Sequence, residues 1–241
     1  MSQPTLDIIL PCYNPAPSWV DHIITGYGEI AAVIPHADIR VILINDGSSR
    51  SIGDEDLLQL KSAIAKFEFI SYQKNRGKGY ALRQGVAASN ADITIYTDVD
   101  FPYTTASFIQ LYTVLANKEA DVAAGVKDAT YYAHVPAFRR FISKLLRACT
   151  TTVLRLKVSD TQCGLKGFND RGRNMFMRTS IDRYLFDLEF IFLASRNKSL
   201  KIKPVEIALR DNVQFSSMRM SILLQESGNF LKILFRSIFT R

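Results

Sequence analysis

Residues 39–49 read Ile-Arg-Val-Ile-Leu-Ile-Asn-Asp-Gly-Ser-Ser, and this stretch sets the fold that the sequence predicts. Its first six residues are mainly β-branched and apolar, a pattern typical of a strand buried on both faces of a parallel sheet. Polar and turn-forming residues follow directly, so the strand ends in a loop. We therefore predict a buried strand with polar side chains at its carboxyl end.

The same pattern recurs through the first half of the chain. Further apolar runs predict strands, and stretches with helical spacing separate them. The strand candidates are residues 6–10, 67–72, 93–97 and 122–126, and the helix candidates are residues 18–33, 54–66, 78–89 and 104–117. Because strands and helices alternate, the predicted fold class is α/β, with a mostly parallel central sheet flanked by helices.

A cluster of polar or loop-forming residues follows each of four predicted strands. In an open α/β sheet, ligands bind at the carboxyl edge of the strands, so we expect the clusters to line one site. They are Pro-Cys-Tyr-Asn-Pro-Ala-Pro at 11–17, Asn-Asp-Gly-Ser-Ser at 45–49, Asn-Arg-Gly-Lys-Gly at 75–79 and Asp-Val-Asp at 98–100.

Asp98 and Asp100 are alternate residues behind a predicted strand. Their carboxylates can face the same way and bind one Mg²⁺ or Mn²⁺ ion, which in turn binds a diphosphate. An isolated Asp-Val-Asp run is more often a solvated acidic turn, but here three other polar clusters accompany it. The combination predicts a metal and diphosphate site.

Two other clusters each allow two interpretations. Asp46 can accept hydrogen bonds from a base or a ribose, while its run also suits a tight turn with a serine capping the next helix, and both can hold. The glycine-rich run at 75–79 puts Arg76 and Lys78 at a helix start, where phosphate is attracted. Glycines at such a place also serve close packing.

Composition and charge narrow the class of protein. The 241 residues are 47% hydrophobic and 22% charged, which suits one large globular domain and excludes collagen, coiled coil and disorder. The net charge of the chain is +7. Residues 139–173 hold nine basic and two acidic residues, so this segment alone carries a net charge of +7. Such a segment indicates an anionic partner. Since no nucleic-acid motif is present, we expect a phosphorylated substrate or a membrane surface rather than nucleic acid.

Cysteine and histidine usage excludes other classes of site. Three scattered cysteines form no disulfide framework, and three histidines with no paired cysteines argue against structural zinc. The first residues lack the basic and apolar regions of a signal peptide, and no apolar run of about 18 residues predicts a membrane span. A reducing cytoplasmic setting is the resulting expectation.

In this order and spacing, the four clusters resemble those of family 2 glycosyltransferases, which have the GT-A fold. In the second half, Asp-Thr-Gln-Cys-Gly-Leu-Lys-Gly-Phe at 160–168 and Phe-Asp-Leu-Glu at 186–189 resemble the branch that uses polyprenyl or dolichyl phosphate. The resemblance covers residues 5–215. It implies an inverting enzyme that moves a hexose from a nucleotide diphosphate sugar onto a lipid phosphate.

The resemblance and the cluster chemistry together assign candidate residues. The nucleotide-sugar site is expected to include Pro11, Tyr13, Asn14, Asp46, Arg76, Gly77, Lys78, Asp98, Val99 and Asp100, with Mg²⁺ or Mn²⁺ on Asp98 and Asp100. The sugar and acceptor are expected near Asp160, Gln162, Cys163 and Gly164, and the acceptor phosphate near Arg139, Arg140 and Arg210. The catalytic candidates are Asp160 and Asp187.

Asp187 matches the place where relatives with hydroxyl acceptors carry a general base. A phosphate acceptor is already anionic, so charge neutralisation and positioning should matter more than removal of a proton. Asp187 would then orient the sugar or the metal ligands instead of taking a proton. Residues 186–193 also suit a plain amphipathic core helix. The resembled family often has a metal-binding polar residue where residues 101–103 here are Phe-Pro-Tyr.

We predict a GT-A domain over residues 1–215 and an amphipathic basic tail over 216–241. Residues 1–126 form the nucleotide-sugar half and 127–215 the acceptor half. Residues 138–157 and the tail both predict basic amphipathic helices, typical of contact with an anionic membrane surface. An alternative for both helices is that they pack on the protein's own core. A further alternative for the tail is that it contacts a second copy of the chain or a membrane-protein partner. The expected location is peripheral, on the cytoplasmic face of the membrane.

The favoured prediction is transfer of a hexose to polyprenyl phosphate. The run at 160–164 favours UDP-glucose as donor, with GDP-mannose next. One alternative is transfer to a sugar hydroxyl during surface polysaccharide synthesis. Another is a GT-A-like module that binds at a membrane without catalysis.

Overall fold

The computed structural model describes residues 4–49, 52–127, 156, 161, 163–211 and 220–239. Within these ranges the chain forms seven strands and seven helices. In chain order they are β1 (Thr5–Cys12), α1 (Trp19–Val33), β2 (Asp38–Asp46), α2 (Asp54–Ala63), β3 (Phe67–Tyr72), α3 (Lys78–Ala88), β4 (Ile93–Tyr96), α4 (Thr105–Ala116), β5 (Val122–Lys127), β6 (Lys166–Asn169), α5 (Asp170–Phe176), α6 (Phe186–Arg196), β7 (Ile202–Ile207) and α7 (Met220–Phe239).

These strands form one sheet in the order β3-β2-β1-β4-β6-β5-β7. The first four strands are mutually parallel, β5 and β7 are parallel, and β6 runs antiparallel to both of its neighbours. The α/β class with a mostly parallel sheet is confirmed. The short strand β6 was missing from the sequence prediction, because its four residues show neither alternation nor a long apolar run.

The strand order shows where on the sheet a ligand is expected to bind. The chain winds from β1 to β2 and β3 in one direction and then returns to pair β4 on the other side of β1. The reversal point therefore lies between β1 and β4, and ligands of open α/β sheets bind beside it at the carboxyl ends of the strands. The loop after β1 and the Asp98–Asp100 run after β4 both begin there.

Alternating side chains of the central strands fill two cores, one on each face of the sheet. Along β1, Ile8 and Leu10 belong to the core beneath α1 and α4, whereas Ile9 belongs to the core beneath α3 and α6. In β2, Leu43 and Ile44 divide in the same way. This period of two confirms the prediction that residues 39–44 are buried on both faces.

Helix α6 is more deeply buried than the predicted amphipathic helix. Every residue from Phe186 to Phe192 is buried, including its two acids. Its rings join an aromatic cluster with Tyr96, Phe168 and Phe176, in which ring centroids lie 5.0–6.3 Å apart. Glu226 of α7 lies beside the start of α6, where its carboxylate accepts a hydrogen bond from the Leu185 amide at 3.0 Å.

In the part of the chain that the structure describes, no helix combines the length and the apolar character that crossing a membrane requires. The predicted helix at 138–157 lies outside the described residues except for Leu156, which is buried. Four candidate site residues, Arg139, Arg140, Asp160 and Gln162, also lie outside the described residues.

Candidate functional site

The loops after β1 and β2 are joined side by side at the carboxyl edge. The Asn14 amide donates to Ser48 Oγ at 3.0 Å, and the Ser49 amide donates to Asn14 Oδ1 at 2.9 Å. Asn14 has a φ of 45°, a left-handed conformation that asparagine tolerates better than most residues. Tyr13 beside it is exposed, and Pro11 is half-buried at the end of β1. The structure thus brings the first two predicted clusters together.

Asp46 organises the third cluster. Its buried carboxylate accepts from the Tyr72 hydroxyl and the Arg76 amide through Oδ1, both at 2.8 Å. Its Oδ2 accepts from Asn75 Nδ2 at 2.8 Å and from the Gly77 amide at 2.9 Å. Burial and this carboxylate raise the pKa of Tyr72. Asp46 therefore holds the glycine-rich loop in place, while its contact with a base or ribose stays a prediction.

The glycines of that loop allow a close approach by residues 181–182. Gly77 has a φ of 108°, and a Cβ built there would lie 2.5 Å from the Asp182 carbonyl oxygen. A Cβ on Gly79 would collide with the Ile181 carbonyl oxygen. The Tyr80 amide donates to that Asp182 oxygen at 3.1 Å. The packing interpretation of these glycines is thus supported, and attraction of phosphate to this helix start stays a prediction.

Residues 181–182 are in turn held by Glu189 of α6. Its buried carboxylate accepts from the Ser180 and Ile181 amides, each at 2.8 Å, and from the Ser180 hydroxyl at 2.9 Å. Arg76 of the loop lies near the same segment, with its guanidinium 4.0 Å from the Asp182 carboxylate and its guanidinium carbon 3.8 Å from the Tyr80 ring centroid. Glu189 thus supports the site without lining it.

Asp98 and Asp100 lie at the end of β4, beside the reversal point. The Asp98 side chain is 38% exposed, and its Oδ1 lies 2.5 Å from Lys78 Nζ, the first residue of α3. Burial would lower the pKa of Lys78, but the carboxylates of Asp98, Asp187 and Asp100 outweigh it and raise the pKa. Partial burial and the Asp98 charge raise the pKa of Asp100. Val99 between the two aspartates packs against the core.

This donor set fits Mg²⁺ or Mn²⁺. Carboxylate oxygens are the ligands these ions prefer, and a cation bound by Asp98 and Asp100 would relieve the repulsion between these two carboxylates. Among the described residues, no group of three or more His, Cys, Asp or Glu side chains could enclose a metal. Mg²⁺ sites in proteins commonly combine one or two carboxylates with water and a substrate phosphate.

The segment at 163–165 is brought against Asp98. A Cβ built on Gly164 would lie 2.8 Å from Asp98 Oδ2, and the Gly164 amide donates to the Tyr103 hydroxyl at 2.9 Å. Cys163 beside it is fully buried. Sequence reasoning missed Tyr103, whose only signal was its place in the Phe-Pro-Tyr run. Its buried hydroxyl fixes the segment that the resemblance assigns to sugar and acceptor.

Asp187 lies beneath this segment, in a buried network. Its Oδ1 accepts from Tyr96 at 2.5 Å and from Lys166 Nζ at 2.7 Å. The Lys166 ammonium is fully buried and also donates to the Cys163 carbonyl at 2.5 Å. Sequence reasoning missed Lys166, although a lysine as the single charged residue of the run 163–168 was a usable signal. Asp187 is thus tied to both the Asp98 strand and the 163–165 segment.

Arg210 is engaged within the protein. Its guanidinium pairs with both oxygens of Glu29 on α1, and its Nε donates to the Tyr103 carbonyl at 3.1 Å. The hydrogen bond from Arg210 is the main cause that lowers the pKa of Glu29, followed by one from Thr105. The predicted contact of Arg210 with an acceptor phosphate stays a prediction, and it would require this pair to open.

The structure also pairs part of the basic segment at 139–173 internally. Its three described basic residues each have an acidic partner: Lys166 with Asp187, Arg171 with Asp121 and Arg173 with Asp170. The other six lie outside the described residues. The excess charge available to an outside partner is therefore smaller than the sequence suggested.

A doubly wound α/β sheet with a polar, carboxylate-bearing crevice at its reversal point defines a class of nucleotide-binding proteins. Within that class the chain belongs to glycosyl transferase family 2, whose model matches residues 7–185. The family resemblance stated from the sequence motifs is confirmed.

The chain is similar to dolichyl-phosphate beta-glucosyltransferases. Those of Dictyostelium discoideum and Drosophila melanogaster are each 26% identical to it, over 85% of this chain. The matched regions are 65% and 66% of the two relatives, so the chain spans slightly less than two thirds of their length.

Solved structures confirm the GT-A fold. Glucosyl-3-phosphoglycerate synthase of Mycobacterium tuberculosis, in complex with Mn²⁺, UDP and phosphoglyceric acid, matches with a TM-score of 0.66 and 15% identity, over 97% of this chain and 78% of that one. Mannosyl-3-phosphoglycerate synthase of Rubrobacter xylanophilus matches with a TM-score of 0.67 and 14% identity, over 97% and 73%.

Proposed function

We propose that this chain is a metal-dependent, inverting glycosyltransferase that moves glucose from UDP-glucose to polyprenyl phosphate at the cytoplasmic face of a membrane. The observation that carries the proposal is the meeting of Asp98, Lys78 and Gly164 at the reversal point of the sheet. The similarity to dolichyl-phosphate beta-glucosyltransferases supports the substrates.

The donor's nucleotide would lie over the joined loops after β1 and β2. Tyr13 offers an exposed ring to the base, and the helix start at Lys78 offers positive charge to the diphosphate. A divalent ion held by Asp98 and Asp100 would neutralise the charge that develops on the departing diphosphate. The glycine-rich loop, held by Asp46, fixes the position of these groups.

In the transfer step, an acceptor phosphate oxygen forms a bond to the anomeric carbon while the bond from that carbon to the diphosphate breaks. The attacking oxygen is already anionic, so no proton has to be removed. This agrees with the position of Asp187, whose Oδ1 already accepts from Tyr96 and Lys166. We assign Asp187 to positioning of the site and not to proton transfer.

Helix α7 supports peripheral membrane contact. Leu231 and Phe235 are 53% and 60% exposed and one turn apart, with the exposed Lys232 beside them. Ile233 of the same helix is buried in the core. The apolar residues of the predicted tail helix thus lie on two sides of α7. Phe230 and Leu234 pack on the core, while Leu231 and Phe235 face outward. An exposed apolar pair beside a lysine suits an anionic interface.

Thermal unfolding with nucleotides tests the donor site. We expect UDP with Mn²⁺ at 100 times its Kd to stabilise the protein by about 2.7 kcal/mol relative to the ligand-free protein, and GDP, dTDP or CMP to stabilise it less. The Asp98→Asn variant should fold normally and lose the Mn²⁺-dependent part of this gain. Equal responses to all four nucleotides, or to UDP with and without Mn²⁺, would contradict the proposal.

A further inference from the structure

Lys78 places its positive charge directly on one of the two carboxylates that are predicted to hold the metal ion. Its Nζ lies 2.5 Å from Asp98 Oδ1, and its side chain is 23% exposed. A Cβ built on Gly164 would lie 3.6 Å from this Nζ and 2.8 Å from Asp98 Oδ2, so the ammonium and the carboxylate share one small space. The carboxylates of Asp187 and Asp100 also act on the ammonium. Lys78 is thus the direct cationic partner of Asp98, while Asp187 has its own partner in Lys166.

The backbone of Lys78 is held while its side chain can move. It follows Gly77, whose amide is bound by Asp46 and whose Cα has no room for a Cβ beside Asp182. The four-carbon stem of lysine is flexible, and its ammonium is a compact charge that binds a phosphate as readily as a carboxylate. A diphosphate beside the start of α3 would therefore offer the ammonium a second anionic partner.

We propose that Lys78 occupies Asp98 in the absence of substrate and moves to the diphosphate when the nucleotide binds, which makes binding of the divalent ion depend on the nucleotide. The inference rests on the proposed function, since it needs both ligands at this site. Like charges repel, so the Lys78 ammonium weakens binding of a metal ion to Asp98 until the diphosphate attracts the ammonium away from Asp98. By linkage, the metal must then strengthen nucleotide binding by the same factor.

The test is titration of Mn²⁺, followed by electron paramagnetic resonance of the free ion, with and without UDP. Without UDP, Lys78→Met should bind Mn²⁺ on the order of tenfold more tightly than the unaltered protein, a typical size for coupling between sites. UDP should tighten Mn²⁺ binding in the unaltered protein and do so much less in Lys78→Met. Lys78→Gln serves as a second variant should the methionine variant fail to fold.

Lys74→Met is the matched control, because it removes the same charge from an exposed position in the preceding loop. It should bind Mn²⁺ as the unaltered protein does. Unchanged Mn²⁺ affinity in Lys78→Met, or an equal gain in Lys74→Met, would overturn the inference. Failure of the proposed function has a different signature: the unaltered protein would then show no coupling between UDP and Mn²⁺, and Asp98→Asn would leave Mn²⁺ binding unchanged.

Discussion

A fully buried lysine is costly unless its charge is paired, and Lys166 meets that condition through Asp187 at 2.7 Å. The pair does more than neutralise charge. It links β6 to α6, and through the Cys163 carbonyl it fixes the segment next to Asp98. At the scale of single residues, the geometry of the site therefore depends on an interior ion pair that never reaches the surface.

Lys166→Met should destabilise the protein by about 3–5 kcal/mol, because it leaves the Asp187 charge buried without its partner. Urea unfolding measures the change. The double variant with Asp187→Asn should recover part of the loss, whereas Lys66→Met, which breaks an exposed pair with Asp38, should cost about 0–1 kcal/mol. Additive losses in the double variant would show that the two side chains are not coupled.

At the scale of elements, two sets of long-range contacts hold the helices and strands whose loops form the candidate site. The glycine-rich start of α3 packs on residues 181–182, which Glu189 of α6 holds from behind. On the opposite face of the sheet, Arg210 after β7 ties α1 to the start of α4 through Glu29 and Thr105. The elements that carry the site are thus fixed to one another by contacts outside it.

Gly77→Ala should destabilise the protein by more than about 1 kcal/mol and weaken UDP binding, because alanine at this positive φ is strained and its Cβ meets a carbonyl oxygen. Gly28→Ala is the matched control. Gly28 lies within α1 with no atom near its Cβ position, so alanine there should stabilise by up to about 1 kcal/mol. Chemical unfolding and nucleotide titration measure both variants, and normal UDP affinity in Gly77→Ala would contradict the role of this loop.

The Glu29–Arg210 pair predicts a dependence of stability on pH. Since the pKa of Glu29 is lowered on folding, its stabilisation is complete above the ordinary value of 4.5 and is lost as the pH falls through the lowered pKa. Glu29→Gln should therefore be less stable than the unaltered protein at pH 7 by about 1 kcal/mol or less, as for other partly exposed pairs. The difference should close in acid, and a difference that does not change with pH would rule out a charge effect.

At the scale of the whole molecule, the proposed transfer to a lipid phosphate would require the site to meet a membrane. The protein has a net charge of +7, and α7 presents an exposed apolar pair beside Lys232. Interfacial binding of this kind combines apolar contact with attraction to anionic lipids, so it weakens with salt.

Replacement of Leu231 and Phe235 by Gln should weaken binding to vesicles that contain phosphatidylglycerol, as measured by sedimentation at low salt. Leu58→Gln is the control, since this exposed leucine lies on α2. Binding that is equal in all variants would remove α7 from the membrane contact.

Replacement of Arg139 and Arg140 by Glu should weaken binding to the same vesicles if the predicted basic helix at 138–157 contributes.

The alternation of β1 to β5 with α1 to α4 followed from the sequence by itself, and so did the edge of the sheet where the candidate site lies. Both depend on local patterns: β2 extends the predicted run at 39–44 by one residue at its start and two at its end, and the polar clusters follow their strands directly. Only the tertiary structure decided which charges are paired. Arg210 meets Glu29 across 181 residues and Lys166 meets Asp187 across 21, contacts that no local period encodes. A buried charge takes whichever partner the fold brings within reach, because burial makes an unpaired charge costly.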